Sequence, residues 1–176
     1  MTLYRDFTED GQRLLRASLE AAGVVISAAS PGRREETVSE GFAGAAFVLE
    51  HRADYVGNPL VSSVILAIDE RVRAGEPFPD YAQVATALGA EEEALETLRS
   101  VVELIDRRAT PEEAAGYKEL LMRIASVVAA AGKEDQGFLG RGGVMINASE
   151  RAALGQVADV LGVPPPAEPG TEPPAG

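Results

Sequence analysis

Apolar residues recur at three- and four-residue spacing along most of this chain, and polar residues interrupt them where helices would end. From Thr8, the positions Leu15, Leu19, Ala22 and Ile26 line one helical face, and Pro31-Gly32 ends that helix. Thr37 with Glu40 has the form of a capping box, in which each side chain satisfies a backbone N–H of the other residue. A second helix is expected to open there, to carry Phe42, Ala46, Leu49 and Ala53 inward, and to close near Gly57. Asn58-Pro59 supplies a cap and a first-turn proline for a third helix. Its run from Leu60 to Ile68 is apolar on nearly every side, which predicts the buried centre of the molecule.

A short helix from Asp80 is predicted to turn Tyr81, Val84, Ala85 and Leu88 inward and to stop at Gly89. The next starts at Glu91 with Leu95, Leu98, Val102 and Ile105 on its inner face. Thr110-Pro111 with Glu113 opens another, whose face is Tyr117, Leu120, Leu121, Ile124 and Val128 and which reaches about Ala131. After a glycine-rich loop, Asn147 with Glu150 caps a last helix bearing Leu154, Val157, Ala158 and Leu161, and Gly162 ends it. The pattern predicts a single all-α bundle of six or seven helices over residues 1–163. The tail 164–176, rich in Pro, Gly and Glu, has too few apolar residues to offset the entropy of ordering, and is expected to be extended and disordered. An internal likeness also stands out: Val24-Val25, a loop and Glu40, then Val127-Val128, a loop and Glu150, each reading as helix, loop and capped helix.

Composition narrows the chemistry. Cysteine is absent, which removes disulfides, thiolate metal ligands and thiol catalysis, and fits a cytoplasmic protein. With 28 acidic against 16 basic residues the net charge is −12, which repels polyanions, so nucleic acid is not an expected partner. The first residues carry charges where a signal peptide would be apolar, and no run is long enough to span a bilayer, so no membrane role is expected. Aromatics make up 5% and tryptophan is missing, leaving a core of Ala, Val, Leu and Ile.

The stretch Lys133 to Glu150 (KEDQGFLGRGGVMINASE) is where the local sequence asks for a special backbone. Glu134, Asp135 and Glu150 there are candidate ligands for a divalent metal, although the spacing of a calcium loop is not met. Arg141 with Gly142 and Gly143 is a candidate anion cradle, since backbone N–H groups near a helix start can hold phosphate. The pattern for a P-loop is missing, because no Lys followed by Ser or Thr comes after the glycines. Packing of Phe138, Leu139, Val144 and Ile146 back onto the bundle explains the same glycines without a ligand. Residues Tyr81 to Leu98 resemble a helix-turn-helix unit, but Glu91, Glu92, Glu93 and Glu96 stand where such units present cations and amides to DNA. Acids at a helix start favour the positive end of its dipole instead. His51 stands alone near a helix end, and Ser62 and Ser63 are placed to bond back to helical carbonyls.

The segment Ile124 to Leu161 resembles the helix, loop and capped helix of the tellurite-resistance TerB-like proteins, with Val127 to Ala131, Gly143-Val144 and Glu150 as the similar positions. Gly142 stands where that family's turn places an Asp, and the loop is longer, which leaves Glu150 and Asp135 to carry the family's metal role. The resemblance implies an all-helical fold and a stress-related, non-enzymatic role. Together these features lead to a helical binding or scaffolding module with a protein partner or a second copy, a small-residue face such as Gly41 to Ala46 serving for self-association. The alternative is a metal- or anion-binding protein that uses the loop 133–150. Acids without a partner base or cofactor motif supply no enzymatic mechanism, and no cofactor beyond a divalent metal is expected.

Overall fold

In a computed structural model, residues 1–30, 32, 34–131 and 147–165 are described, and among them the chain forms seven α-helices and two 3₁₀ turns. The helices are α1 (Glu9–Ala29), α2 (Arg34–Glu50), α3 (Pro59–Arg73), α4 (Tyr81–Ala85), α5 (Ala90–Arg108), α6 (Pro111–Ala131) and α7 (Ala148–Leu161). No strand occurs among the described residues, so the all-α bundle is as the periodicity predicts. None of these helices is long and apolar enough to cross a membrane. The loop 132–146 and the tail from 166 onward lie outside the described residues, and with them Glu134, Asp135, Arg141, Gly142, Gly143 and the expected disorder of the tail.

Helix ends follow the local signals. Thr8 accepts from the Gly11 N–H at the start of α1, and Asn58 accepts from Val61 ahead of Pro59 at the start of α3. Both boxes at Thr110–Glu113 and Asn147–Glu150 close reciprocally, with side-chain to backbone distances of 2.8 to 3.3 Å. Gly162 ends α7 in the left-handed conformation at φ 66°, where a side chain would be strained. The helix-end histidine and Ser63 behave as read, whereas Ser62 reaches a carbonyl of the preceding 3₁₀ turn (Arg52–Tyr55) rather than one of its own helix. His51 Nδ1 lies 3.1 Å from the Phe47 carbonyl, Ser62 donates to Tyr55 O and Ser63 to Leu60 O.

The centre is α1. It contacts every other α-helix, and Ala21 through Ser27 are buried without interruption. The expectation that Leu60 to Ile68 forms the centre is corrected: α3 buries Leu60, Val61, Val64 and Ile65, but leaves Leu66 exposed. An apolar run can fill one stripe and still spill onto the surface, and α3 has neighbours on only part of its circumference.

The second helix departs most from its predicted form. It begins at Arg34, so Thr37 and Glu40 lie inside it and form no cap. Its buried face is Thr37, Glu40, Gly44, Phe47 and Val48, while Phe42 is 72% exposed and Ala46 and Ala53 are exposed too. The proposed likeness between Glu40 and Glu150 is therefore one of sequence only, because Glu150 caps α7 and Glu40 caps nothing. In the segment from Gly41 to Ala46 the two glycines are taken up within the fold, while Phe42, Ala45 and Ala46 stay exposed. A Cβ on Gly41 would stand 2.6 Å from the Tyr81 ring, and one on Gly44 would stand 3.2 Å from Val128 Cγ2, so both glycines are used within the fold.

In the corner before α5, Ala82 and Ala85 are buried, whereas Val84 and Leu88 are exposed rather than inward. Val84 lies within α4 but off the face that buries Ala82 and Ala85, and Leu88 lies beyond the helix, which stops at Ala85. Residues 86–89 form a turn, with Gly89 at φ 79°, and they no longer follow a helical register.

Candidate functional site

Tyr81, the first residue of α4, is capped by Asp80, which accepts from Gln83 N. Its ring sits between α1 and α2 against two glycines. A Cβ on Gly23 would approach the Tyr81 hydroxyl to 2.7 Å, and one on Gly41 would approach its ring to 2.6 Å, so only glycine admits the ring at this depth. This seating brings the Tyr81 hydroxyl to 3.0 Å from Ser27 Oγ near the end of α1. Ser27 in turn donates to Glu40 Oε2 at 2.5 Å. A chain of polar groups, Tyr81, Ser27 and Glu40, thus crosses the seam of three helices inside an otherwise aliphatic bundle.

Glu40 is 7% exposed, and among the described residues no Lys or Arg faces it. Its pKa is raised, chiefly because burial penalises the charged form; the Ser27 hydrogen bond acts against this, and the nearby carboxylates Glu150 and Glu36 add to it. The balance is physically sensible. A hydrogen bond to a charged group offers about 1.5–3 kcal/mol, while removing a carboxylate from water costs several kcal/mol. Glu20, about two turns before Ser27 on α1, is also raised by burial. Tyr81 is raised by burial too, against its Ser27 bond, with Glu40 and Glu20 adding to the effect.

Of the expected metal ligands, Glu150 is the third residue of α7, 6% exposed, and holds the Asn147 N–H at 3.0 Å. Asn147 also reaches back to α1, donating to Ser30 Oγ at 2.8 Å. The C-terminal end of α1, the buried face of α2 and the start of α7 therefore meet at one junction, with Glu40 and Glu150 close enough to repel. Glu134 and Asp135, and the anion candidates Arg141, Gly142 and Gly143, lie outside the described residues. Among the described residues no group of three His, Asp or Glu side chains is arranged to hold a metal ion.

Sequence reasoning gave Glu40 the wrong job and missed Ser27 and Glu20. Three signals were available. Glu40 stands in a stripe with Thr37, Gly44 and Val48 at helical spacing, and Ser27 closes the run Val24-Val25-Ile26. The mid-helix glycines Gly23 and Gly41 were a third signal, since glycine inside a helix usually answers a packing demand.

The described fold is thus a helical bundle with a carboxylate junction at one end of its central helix. Compared with protein-family models, with curated proteins and with solved structures, the chain finds no match in any of the three.

Proposed function

We propose that the protein is a non-enzymatic helical binding module that holds a cation at the junction of α1, α2 and α7, with Glu40 and Glu150 as carboxylate ligands. The observation that supports this reading is Glu40, buried near two other acids with no cationic side chain against it among the described residues. Such a group destabilises the fold unless something positive offsets it. Magnesium-like ions are commonly held through one or two carboxylates with water completing the shell, so fewer than three side-chain ligands suffices. The resemblance to TerB-like proteins leads in the same direction, with a stress-related role and with Asp135 as a further ligand beside Glu150; Glu134 comes from the reading of the loop 133–150 alone. Ser27 is 3% exposed, too deep to serve as a nucleophile for an outside substrate.

The test is thermal melting of the full chain with calcium, magnesium, zinc or phosphate. One of the three cations should raise the melting temperature with concentration, because a ligand selective for the native state stabilises it by mass action, and Glu40→Gln should lose that rise. Unchanged melting with all three cations would end the cation reading, and a rise with phosphate alone would favour Arg141, Gly142 and Gly143 as an anion site.

A second reading, a scaffold for a protein partner, is favoured by Leu88, which is fully exposed at the α4–α5 corner. A photo-crosslinking residue at position 88 should capture a partner that the same residue at exposed Leu66 does not. Equal capture at both positions would remove this reading.

A further inference from the structure

Ala67, Glu70 and Arg71 near the end of α3, and Ala74 just after it, stand three and four residues apart and so share one face. Together with Arg16 of α1, Tyr4 of the 3₁₀ turn Tyr4–Asp6, and Glu76, that face bounds an open groove of about 510 Å³. The two alanines leave the room, and the Tyr4 N–H is anchored to Ser63 Oγ at 2.8 Å. Of the four charged side chains, Arg71 and Glu76 are spent on each other, with Arg71 Nε donating to Glu76 Oε2 at 2.6 Å. Arg16 and Glu70 are not. Arg16 is half-buried, with its guanidinium carbon 5.8 Å from the centre of the Tyr4 ring, and it makes no hydrogen bond or ion pair among the described residues. Contact with a ring engages the flat face of a guanidinium and leaves its N–H edge open. Burial pulls the Arg16 pKa down, the neighbouring Arg71 adds to this, and Glu76 opposes it, so the charge is poorly offset where it stands. Glu70 likewise has no ion pair among the described residues, and it does not reach Arg16.

We propose that this groove binds a small zwitterion of the amino-acid class, with its carboxylate on the Arg16 fork and its ammonium on Glu70. Two opposite charges that line one groove without meeting are matched by a ligand that carries both signs. A carboxylate fits the guanidinium edge through two parallel N–H···O bonds. A divalent anion such as phosphate would be repelled by Glu70 and Glu76 on the same walls, and a simple carboxylate would leave Glu70 without a partner. The groove shares no residue with the Glu40 junction, and Arg16 stands roughly 16 Å along α1 from Ser27, so this proposal stands apart from the cation reading.

The experiment is an amide NMR titration of the full-length chain with glycine, β-alanine and γ-aminobutyrate, whose two charges are set progressively farther apart. Propionate and inorganic phosphate are the controls. The expected result is saturable shifts at Tyr4, Glu70, Arg71 and Ala74 with at least one of the amino acids, at a Kd about tenfold or more below that of either control. Higher salt should weaken the binding. Arg16→Gln and Glu70→Gln should each weaken it about tenfold or more, and Asp159→Asn, at an exposed position on α7, should not. The amide spectrum also reports folding, and if Arg16→Gln unfolds, Glu70→Gln at its exposed position decides alone. No saturable shift with any of the three amino acids, equal binding of propionate or phosphate, shifts confined to other helices, or binding undiminished in Glu70→Gln would overturn the proposal.

Discussion

Glu113 and Glu40 are the same side chain, each three residues after a threonine, each more than nine-tenths buried at 5% and 7% exposure. Their surroundings are opposite. Glu113 lies in the first turn of α6, where it accepts the N–H of Thr110 at 3.0 Å and of Thr2 at 2.8 Å. Burial alone would raise its pKa, but these backbone donors outweigh it and the net shift is downward. Glu40 lies inside α2, where the backbone N–H groups are already spent on the helix, so it has one hydroxyl donor and two acidic neighbours, and its pKa is raised. Burial does not decide whether a carboxylate stabilises a fold. The supply of unspent N–H groups does, and a helix has those only at its start.

The largest effect expected from breaking this contrast is in Glu113→Ala. It strands the N–H groups of Thr110 and Thr2 and should cost about 2–3 kcal/mol in urea unfolding at neutral pH. A loss below half a kcal/mol would show that the box contributes little.

Gly41→Ala should cost about 1–3 kcal/mol, because the new Cβ overlaps the Tyr81 ring and the ring must leave its seat. With Tyr81 displaced, water reaches Ser27 and Glu40, and the Glu40 pKa should move back toward the ordinary glutamate range. Carboxyl NMR titration reads this, and an unmoved Glu40 would show that Tyr81 is not what shields it.

The smallest effect carries the sign that matters most. In cation-free buffer Glu40→Gln should raise stability at neutral pH, by less than Glu113→Ala lowers it, because it keeps an acceptor for Ser27 and removes a charge repelled by Glu150 and Glu36. A carboxyl whose folded pKa is raised contributes stability that is fully present below its unfolded pKa and lost as the pH rises through the folded one. The gain from Glu40→Gln should therefore appear between acid and neutral pH. Glu113 behaves the other way: its contribution is present above its unfolded pKa and lost as the pH falls through its lowered folded pKa. Unfolding curves of the wild type and the two glutamine variants, Glu40→Gln and Glu113→Gln, across acid to neutral pH would show the two trends diverging. A Glu40→Gln protein less stable than wild type at neutral pH would mean that Glu40 is not isolated.

Both carboxylates carry the same local signature, and that is why the sequence could not tell them apart. Threonine or asparagine followed by glutamate at the third position states that a cap can form, and at Thr110 and at Asn147 it does. At Thr37 the helix has already begun at Arg34, and the same signature turns inward. The corner before α5 repeats the lesson, since Leu88 has the right spacing for a helix face with Tyr81, Val84 and Ala85 but the helix ends at Ala85, before that spacing reaches it.

What the amino-acid order determined by itself is the all-helical fold, most helix ends and the inner faces of α1, α5, α6 and α7, because caps and helical periodicity act within a few residues along the chain. Tertiary structure alone decided that α1 is the centre, that Tyr81 enters between Gly23 and Gly41, and that Glu40 comes to lie near Glu150, more than a hundred residues away. The physical reason is range: a hydrogen bond at a helix start is settled by its neighbours in sequence, whereas burial and charge are settled by whatever packs there from elsewhere in the chain.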